Sequence, residues 1–319
     1  MSENTSASVS SGPTAVQPTV RQGYAVGLMI SCSVVVSFTG LIVRLLEADP
    51  MVMNFYRALS LSVAVMLILV VRYRRMAMTH VIGIGWSGLL GGVVLALTAI
   101  SFLQSITHTT VANTLFILGA IPFFAAGLAW FVLGERPGRA TIAAMILAFA
   151  GITVMLGEGF GSGSIYGNLM ALLAAGGFAV YTVIVRRKRQ VNMLPTLLVS
   201  SLLIMVIAGI TRGDLLDISR GDLMLCLFWG GVLSGFTSVC FIVASRHLAA
   251  AELTLLMLLE FALGPVWVWL FLNEVPSRWT LLGGALVTLA VLARSAIEFR
   301  QQVSDIIQGR GIGKPRSGV

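Results

Sequence analysis

Between residues 23 and 297 the chain alternates long apolar runs with short polar breaks. Each run is about twenty residues long, which is what a helix needs to cross about 30 Å of hydrocarbon. Ten runs can be placed, at 23–43, 51–71, 82–103, 111–133, 140–156, 167–185, 195–211, 222–244, 251–272 and 279–297. None shows the two-residue alternation of a barrel strand. Lipid satisfies no backbone hydrogen bonds, so each run is predicted to be a helix. The connections are too short to hold an extramembrane domain. The expected fold is an all-α integral membrane protein with ten transmembrane helices.

Composition agrees with the pattern and narrows the classes. The chain is 57% hydrophobic and 11% charged, against about 25% charged in soluble domains. A soluble enzyme is excluded, as are a disordered or fibrous protein. A net charge of +8 would suggest nucleic acid as partner in a soluble protein. Here the basic residues sit between apolar runs and read as a topology signal instead. Of the 21 Lys and Arg, 15 fall in the two tails and the even-to-odd connections, four in the others, and Arg57 and Arg294 inside spans. Positive residues stay on the cytoplasmic side, so both termini are expected to be cytoplasmic, with the chain multi-pass in the inner membrane. Cys32, Cys226 and Cys240 fall within apolar runs at unrelated spacings, giving neither a disulfide framework nor a metal site. His80, His108 and His247 lie at span ends without partners at ligand spacing, so no metal and no cofactor is expected.

The two halves of the chain match each other. Shifted by 139, His108 meets His247, Trp130 meets Trp269, and Glu135, Pro137, Arg139 and Thr141 meet Glu274, Pro276, Arg278 and Thr280. Shifted by 143, Trp86, Gly88 and Gly92 meet Trp229, Gly231 and Gly235. The E-x-P-x-R-x-T match uses residues that are rare in membrane helices, so chance does not explain it. Each repeat would hold five spans, and an odd number inserts the second copy from the opposite side. The expected organisation is a disordered cytoplasmic tail over 1–22, repeats over 23–156 and 167–297, an external Gly-rich linker over 157–166 and a basic cytoplasmic tail over 298–319. Two inverted five-helix repeats are an architecture of secondary transporters, in which two packings of one unit open a midplane site to either side.

Each repeat closes with a helix, a turn reading G-E-R-P-x-R or N-E-V-P-x-R, and a last Gly/Ala-rich helix. With the ten spans, this resembles the drug/metabolite transporter superfamily, and within it the EamA-domain family, over roughly residues 23–297. The resemblance implies secondary transport of small organic metabolites, often amino acids and their derivatives, and often as export. Family members also import vitamins or nucleoside-like compounds.

Several residues could carry the chemistry. Glu260 is the eighth residue of the run Leu253–Leu272. A carboxylate at that depth is costly unless it faces a cavity or a partner. Its repeat-equivalent is Ile121, so the fold does not demand an acid there. Proton coupling or contact with a cationic substrate group is one reading; a neutral carboxyl bonded to a neighbouring helix is the other. Glu252 lies eight residues earlier, about 12 Å along the axis, and either lines the same path or places favourable charge near a helix N-terminus. Asn113 occupies the equivalent place in the first repeat. Arg57, seven residues into its span, suits bidentate binding of a carboxylate or a structural, snorkelling role. Gln104, Tyr181 and Trp229 are candidates for cavity lining or for packing. Pro122 and Pro265 fall inside the fourth and ninth runs, where they bend or break a helix.

Two rival classes remain at the level of sequence. An intramembrane enzyme would use Ser87 in Gly85-Trp86-Ser87-Gly88, but no histidine lies within a span to activate it. A membrane scaffold would have little use for Glu260. The reading favoured is a secondary active transporter exporting an amino acid or related metabolite by alternating access, with Glu260 as a candidate for proton coupling. The alternative is an importer of a vitamin or nucleoside-like compound. The expected partners are a small-molecule substrate and the lipid bilayer, with protons as the candidate coupling ion and a homodimer as the candidate assembly; no nucleic acid and no catalytic residue is expected.

Overall fold

A computed structural model describes residues 20–74, 78, 83–134, 137–162, 164–187, 194–212, 217–237, 240 and 250–307. These are helical apart from short connections, and no strand occurs among them. In chain order the helices are α1 (Val20–Ser37), α2 (Thr39–Leu45), α3 (Pro50–Tyr73), α4 (Gly85–His108), α5 (Val111–Leu118), α6 (Ile121–Leu133), α7 (Arg139–Ser162), α8 (Ile165–Arg187), α9 (Thr196–Thr211), α10 (Arg220–Leu227), α11 (Ala250–Leu272) and α12 (Arg278–Ile307). A π-helical segment, Phe228–Ser234, continues α10.

Seven helical stretches are long and apolar enough to cross a membrane: Tyr24–Leu45, Pro50–Tyr73, Gly85–His108, Val111–Val132, Arg139–Gly157, Ile165–Ile184 and Arg278–Ile297. Each coincides with an expected span. Thr196–Thr211 and Leu259–Leu272 are shorter apolar helices, and the expected eighth span runs beyond the described residues. The helix Arg139–Ser162 extends into the Gly-rich stretch expected to be linker, and Ile165 already begins the next helix. Glycine in a helix costs only about 1 kcal/mol, less than leaving backbone groups unbonded beside lipid.

The distribution of side chains is that of a protein in lipid. Phe131, Ile210, Trp86, Val71 and Val275 are at least 70% exposed, while Asn54, Ser105, Thr114, Asn168 and Thr196 are fully buried. Apolar residues can face outward because the solvent there is hydrocarbon; polar ones turn inward to find partners. Close packing is built on small residues. A Cβ added at Gly151 of α7 would come 2.5 Å from the Gly283 carbonyl oxygen of α12, and the reverse holds for Gly283. The two backbones touch there, which only glycine permits. At Gly230, in the π segment, an added Cβ would run into the carbonyl oxygen of Arg57 in α3.

Two membrane helices are interrupted. The first bends at Phe38, between α1 and α2, and the fourth at Gly119–Ala120, between α5 and α6. Pro122 stands in the first turn of α6, where its missing N–H is tolerated. Pro265, by contrast, lies inside the continuous helix α11. The bend in the first helix packs on α11: Trp267 Nε1 donates to Ser37 Oγ at 2.8 Å, and the Trp267 ring stacks on Phe38 with centroids 4.7 Å apart.

The repeated turn also has a structural signature. Gly134 after α6 and Asn273 after α11 both take left-handed backbone, with φ of +70° and +54°. Their N–H groups bond the carbonyls of Trp130 and Trp269, each at 3.1 Å. These are the matching positions of the two halves. Glycine, or else asparagine, is what a left-handed helix cap calls for, which accounts for the G-E and N-E variants of the motif.

Candidate functional site: a polar cavity at the Glu274 end

One end of the bundle gathers the connections before α3, between α4 and α5, before α8, after α9, and between α11 and α12. Arg44 of α2, Thr109 and Asn113 around the start of α5, Asn168 of α8, and Glu274 and Thr280 around the start of α12 meet there. Asp49, just before α3, pairs with Arg212, just after α9.

The hydrogen bonds at this end form a chain. Thr280 Oγ1 donates to Asn113 Oδ1 at 2.7 Å, and Asn113 Nδ2 donates to Asn168 Oδ1 at 3.2 Å and to Thr109 Oγ1 at 3.3 Å. Thr109 Oγ1 in turn donates to Asn168 Oδ1 at 2.9 Å. One helical turn deeper, Ser105 Oγ and Thr114 Oγ1 share a bond at 2.8 Å. All these side chains are buried, so the bonds replace water that is not there. Asn168 Nδ2 is buried without a partner among the described residues.

Above this network sits an ion pair. Arg44 Nε lies 2.9 Å from Glu274 Oε2, and Arg44 Nη2 donates to the Thr109 carbonyl at 2.7 Å. The Arg44–Glu274 contact is a charge pair without hydrogen-bond alignment, since Nε itself makes no hydrogen bond. The other carboxylate oxygen, Glu274 Oε1, accepts the Val111 N–H at 2.8 Å. Val111 is the first residue of α5, so the carboxylate also meets the positive end of a helix dipole. A single acid from the second half thereby ties two elements of the first. Side-chain exposure of 26% for Arg44 and 21% for Glu274 keeps both charges accessible.

They are accessible to a cavity. An open cavity of about 630 Å³ lies between Arg44, Thr107–Thr110, Asn113, Ser164, Leu272, Glu274, Ser277 and Thr280. This is the size range of small-molecule sites, and the lining combines one charge of each sign with hydroxyls and an amide. Among the described residues no group of three or more His, Cys, Asp or Glu is placed to hold a metal ion.

The candidates from sequence are dispersed. Asn113 lies in the network and lines the cavity. Gln104 is half-buried one turn from His108, whose Nδ1 is 2.8 Å from the Gln104 carbonyl. Glu260 is half-buried deeper in α11, about 18 Å along the axis from the cavity end, on a helix that packs against α1. Glu252 belongs to α11, but its side chain lies outside the described residues, as do Glu135, His80 and His247. Tyr181 packs beside Phe178, and its ring is 3.6 Å from where a Cβ on Gly91 would be, a helix-packing position.

Arg57 and Trp229 come together as a second polar centre. The guanidinium lies over the indole, 4.9 Å from its centroid, and Nη2 makes a long bond of 3.4 Å to Asn54 Oδ1. Among the described residues Arg57 Nε and Asn54 Nδ2 are both buried without partners. The π segment carries Trp229 against α3 at this level, and π-bulges recur at functional sites.

Arg44, Thr109, Asn168 and Thr280 were not visible as site residues. Arg44 registers in the sequence only as a charge near a span end. Glu274 and Thr280 register only as matched positions of the repeat, although that match was itself a pointer to them. Arg294, midway along α12, donates to the Pro122 carbonyl at 3.2 Å and so is engaged inside the bundle.

The EamA-like transporter family model matches residues 23–157 and again 165–295. The chain belongs to the EamA-like transporter family. It is thus a multi-pass membrane transporter by family, not an intramembrane enzyme. Among similar proteins, an uncharacterized transporter of Clostridium kluyveri is 24% identical over 60% of this chain; the match spans 65% of that relative's length, just under two thirds. The pseudopaline exporter CntI of Pseudomonas aeruginosa is 25% identical over 65% of this chain and 74% of its own. The uncharacterized transporter YwfM of Bacillus subtilis is 29% identical over 64% and 71%. A solved crystal structure, 17% identical, superposes with a TM-score of 0.57 over 86% of this chain and 98% of its own, a likeness of fold alone.

Proposed function

We propose that this EamA protein is a secondary active transporter that moves an amino acid or related small metabolite out of the cell by alternating access. Ten spans form two inverted five-helix repeats, 23–156 and 167–297, with 1–22 and 298–319 as cytoplasmic tails in the inner membrane. The observation that carries the reading is the double family match, once on each half, joined to the left-handed caps at the matching Gly134 and Asn273. A unit used twice supplies two near-equal packings, which is what alternation requires. The interrupted first and fourth helices and the polar cavity support it. Outward direction is supported by the exporter among the relatives and by nothing in the cavity itself.

Glu260 is the coupling or recognition acid of this reading. It is the acid set deepest in α11, away from the ion-paired end. Metabolite profiling of medium and cell extract tests the assignment, comparing cells overexpressing the wild type, Glu260→Gln and empty vector. A compound accumulating in the medium only with the wild type names the substrate and establishes export. Selective depletion from the medium would make the protein an importer. Equal flux in Glu260→Gln across pH would remove the acid from the mechanism.

A further inference from the structure

The Arg44–Glu274 pair lines an open cavity with both of its charges. Arg44 uses Nε and Nη2 on Glu274 and the Thr109 carbonyl; among the described residues Nη1 makes no hydrogen bond and points to spare capacity in a five-donor group. Glu274 accepts one N–H and faces one cation, about half of what a carboxylate can accept. Behind them Asn168 Nδ2 is a buried donor without a partner. The cavity thus holds a cation and an anion that compensate each other while each retains room for another partner.

The geometry points to a docking site for a small zwitterion that inserts into this pair, its carboxylate on Arg44 and its ammonium on Glu274. The site rests on the transporter reading and adds to it a place, a polarity and two residues. A ligand with one charge would part the pair but leave either Arg44 or Glu274 uncompensated in a partly desolvated cavity. A zwitterion replaces both charges at once and leaves the cavity neutral, as it began. The lining also carries the hydroxyls of Thr107, Thr110, Ser277 and Thr280, so such a ligand meets oxygen groups as well as the two charges. Because Glu274 also holds the N-terminus of α5, occupancy bears on the contact that joins the two halves at this end.

The test is ligand-induced thermal stabilisation of the purified full-length protein in detergent. The probes are the standard L-amino acids, each beside the amine lacking its carboxylate and the acid lacking its amine. At least one zwitterion should raise the melting temperature, with each single-charge analogue binding about tenfold or more weakly. The response should vanish in Glu274→Gln, which still accepts the Val111 N–H, and in Arg44→Gln. Equal responses to an amine or an acid alone would overturn the proposal, as would an undiminished response in both variants or no response to any zwitterion. Metabolite profiling of the same variants separates the two readings. Export that continues in Arg44→Gln and Glu274→Gln would sink the site while leaving the transporter standing; no export by the wild type would sink the transport reading instead.

Discussion

The bundle holds two polar centres that answer the same problem in opposite ways. At the Glu274 end, Thr109, Asn113, Asn168 and Thr280 bond one another in a closed chain, with Arg44 and Glu274 above them. Between α3 and the π segment, Arg57 and Asn54 share one long bond, and each keeps a buried donor atom unpaired. Among the described residues both sets leave buried donors unpaired, Arg44 Nε and Asn168 Nδ2 in the first, but the first is tied by several mutual side-chain bonds and the second by one. A connected network contributes stability and fixes how helices are rotated against each other. An unsatisfied cation costs stability and stays where backbone packing holds it, here the contact of Gly230 on Arg57 and the face of Trp229. In the first centre the network therefore ties helices together beneath the Arg44–Glu274 pair, and the second keeps a buried cation with little to compensate it.

The largest expected effect breaks the packing that holds the second centre. Gly230→Val places a methyl group against the Arg57 carbonyl, a backbone atom that cannot turn aside. It should destabilise by about 3 kcal/mol or more, read as loss of folded protein in detergent; a variant that purifies with normal melting would show that the contact is soft. Next comes Asn113→Leu, which strips Thr280 of its acceptor and Asn168 and Thr109 of a donor. Each stranded group costs about 1 kcal/mol or more, so a total of roughly 2 to 3 kcal/mol is expected in a denaturation midpoint. A loss as small as a single interhelical bond, about 0.6 kcal/mol, would mean the chain is not cooperative. The smallest stability effect belongs to Arg57→Met. Replacing a poorly compensated buried cation by an apolar side chain of similar length is expected to change stability by less than about 1 kcal/mol, or to raise it. Flux should nonetheless fall by about tenfold where Arg57 holds a substrate carboxylate. A stability loss as large as that of Asn113→Leu would erase the distinction between the two centres.

Parts of each centre were legible beforehand, but not as centres. Asn113 and Arg57 stand out because amide and charged residues in apolar runs are few, and Trp229 because it matches Trp86 in the repeat. Their partners do not stand out. Thr280 is one of many threonines, Arg44 one of many span-end basic residues, and Asn168 lies near a span end where polar residues are ordinary. Asn113 and Thr280 are 167 residues apart, and nothing local couples them. The turn motif is an intermediate case: its repetition marks Glu274 as special, while what Glu274 touches lies in the other half of the chain.

The division has a physical cause. Hydropathy is a property of each segment against its solvent, and lipid imposes the same length and composition on every span. Placement and charge bias of spans can therefore be read along the chain, as can the repeat. Which face of a helix meets which neighbour is another matter. In soluble proteins an apolar stripe declares the buried face, but these helices are apolar all round, so rotation is decided by small residues and buried polar pairs. That is why seven spans were legible from 319 residues of sequence, whereas the meeting of Arg44 with Glu274 and of Arg57 with Trp229 was settled only by tertiary packing.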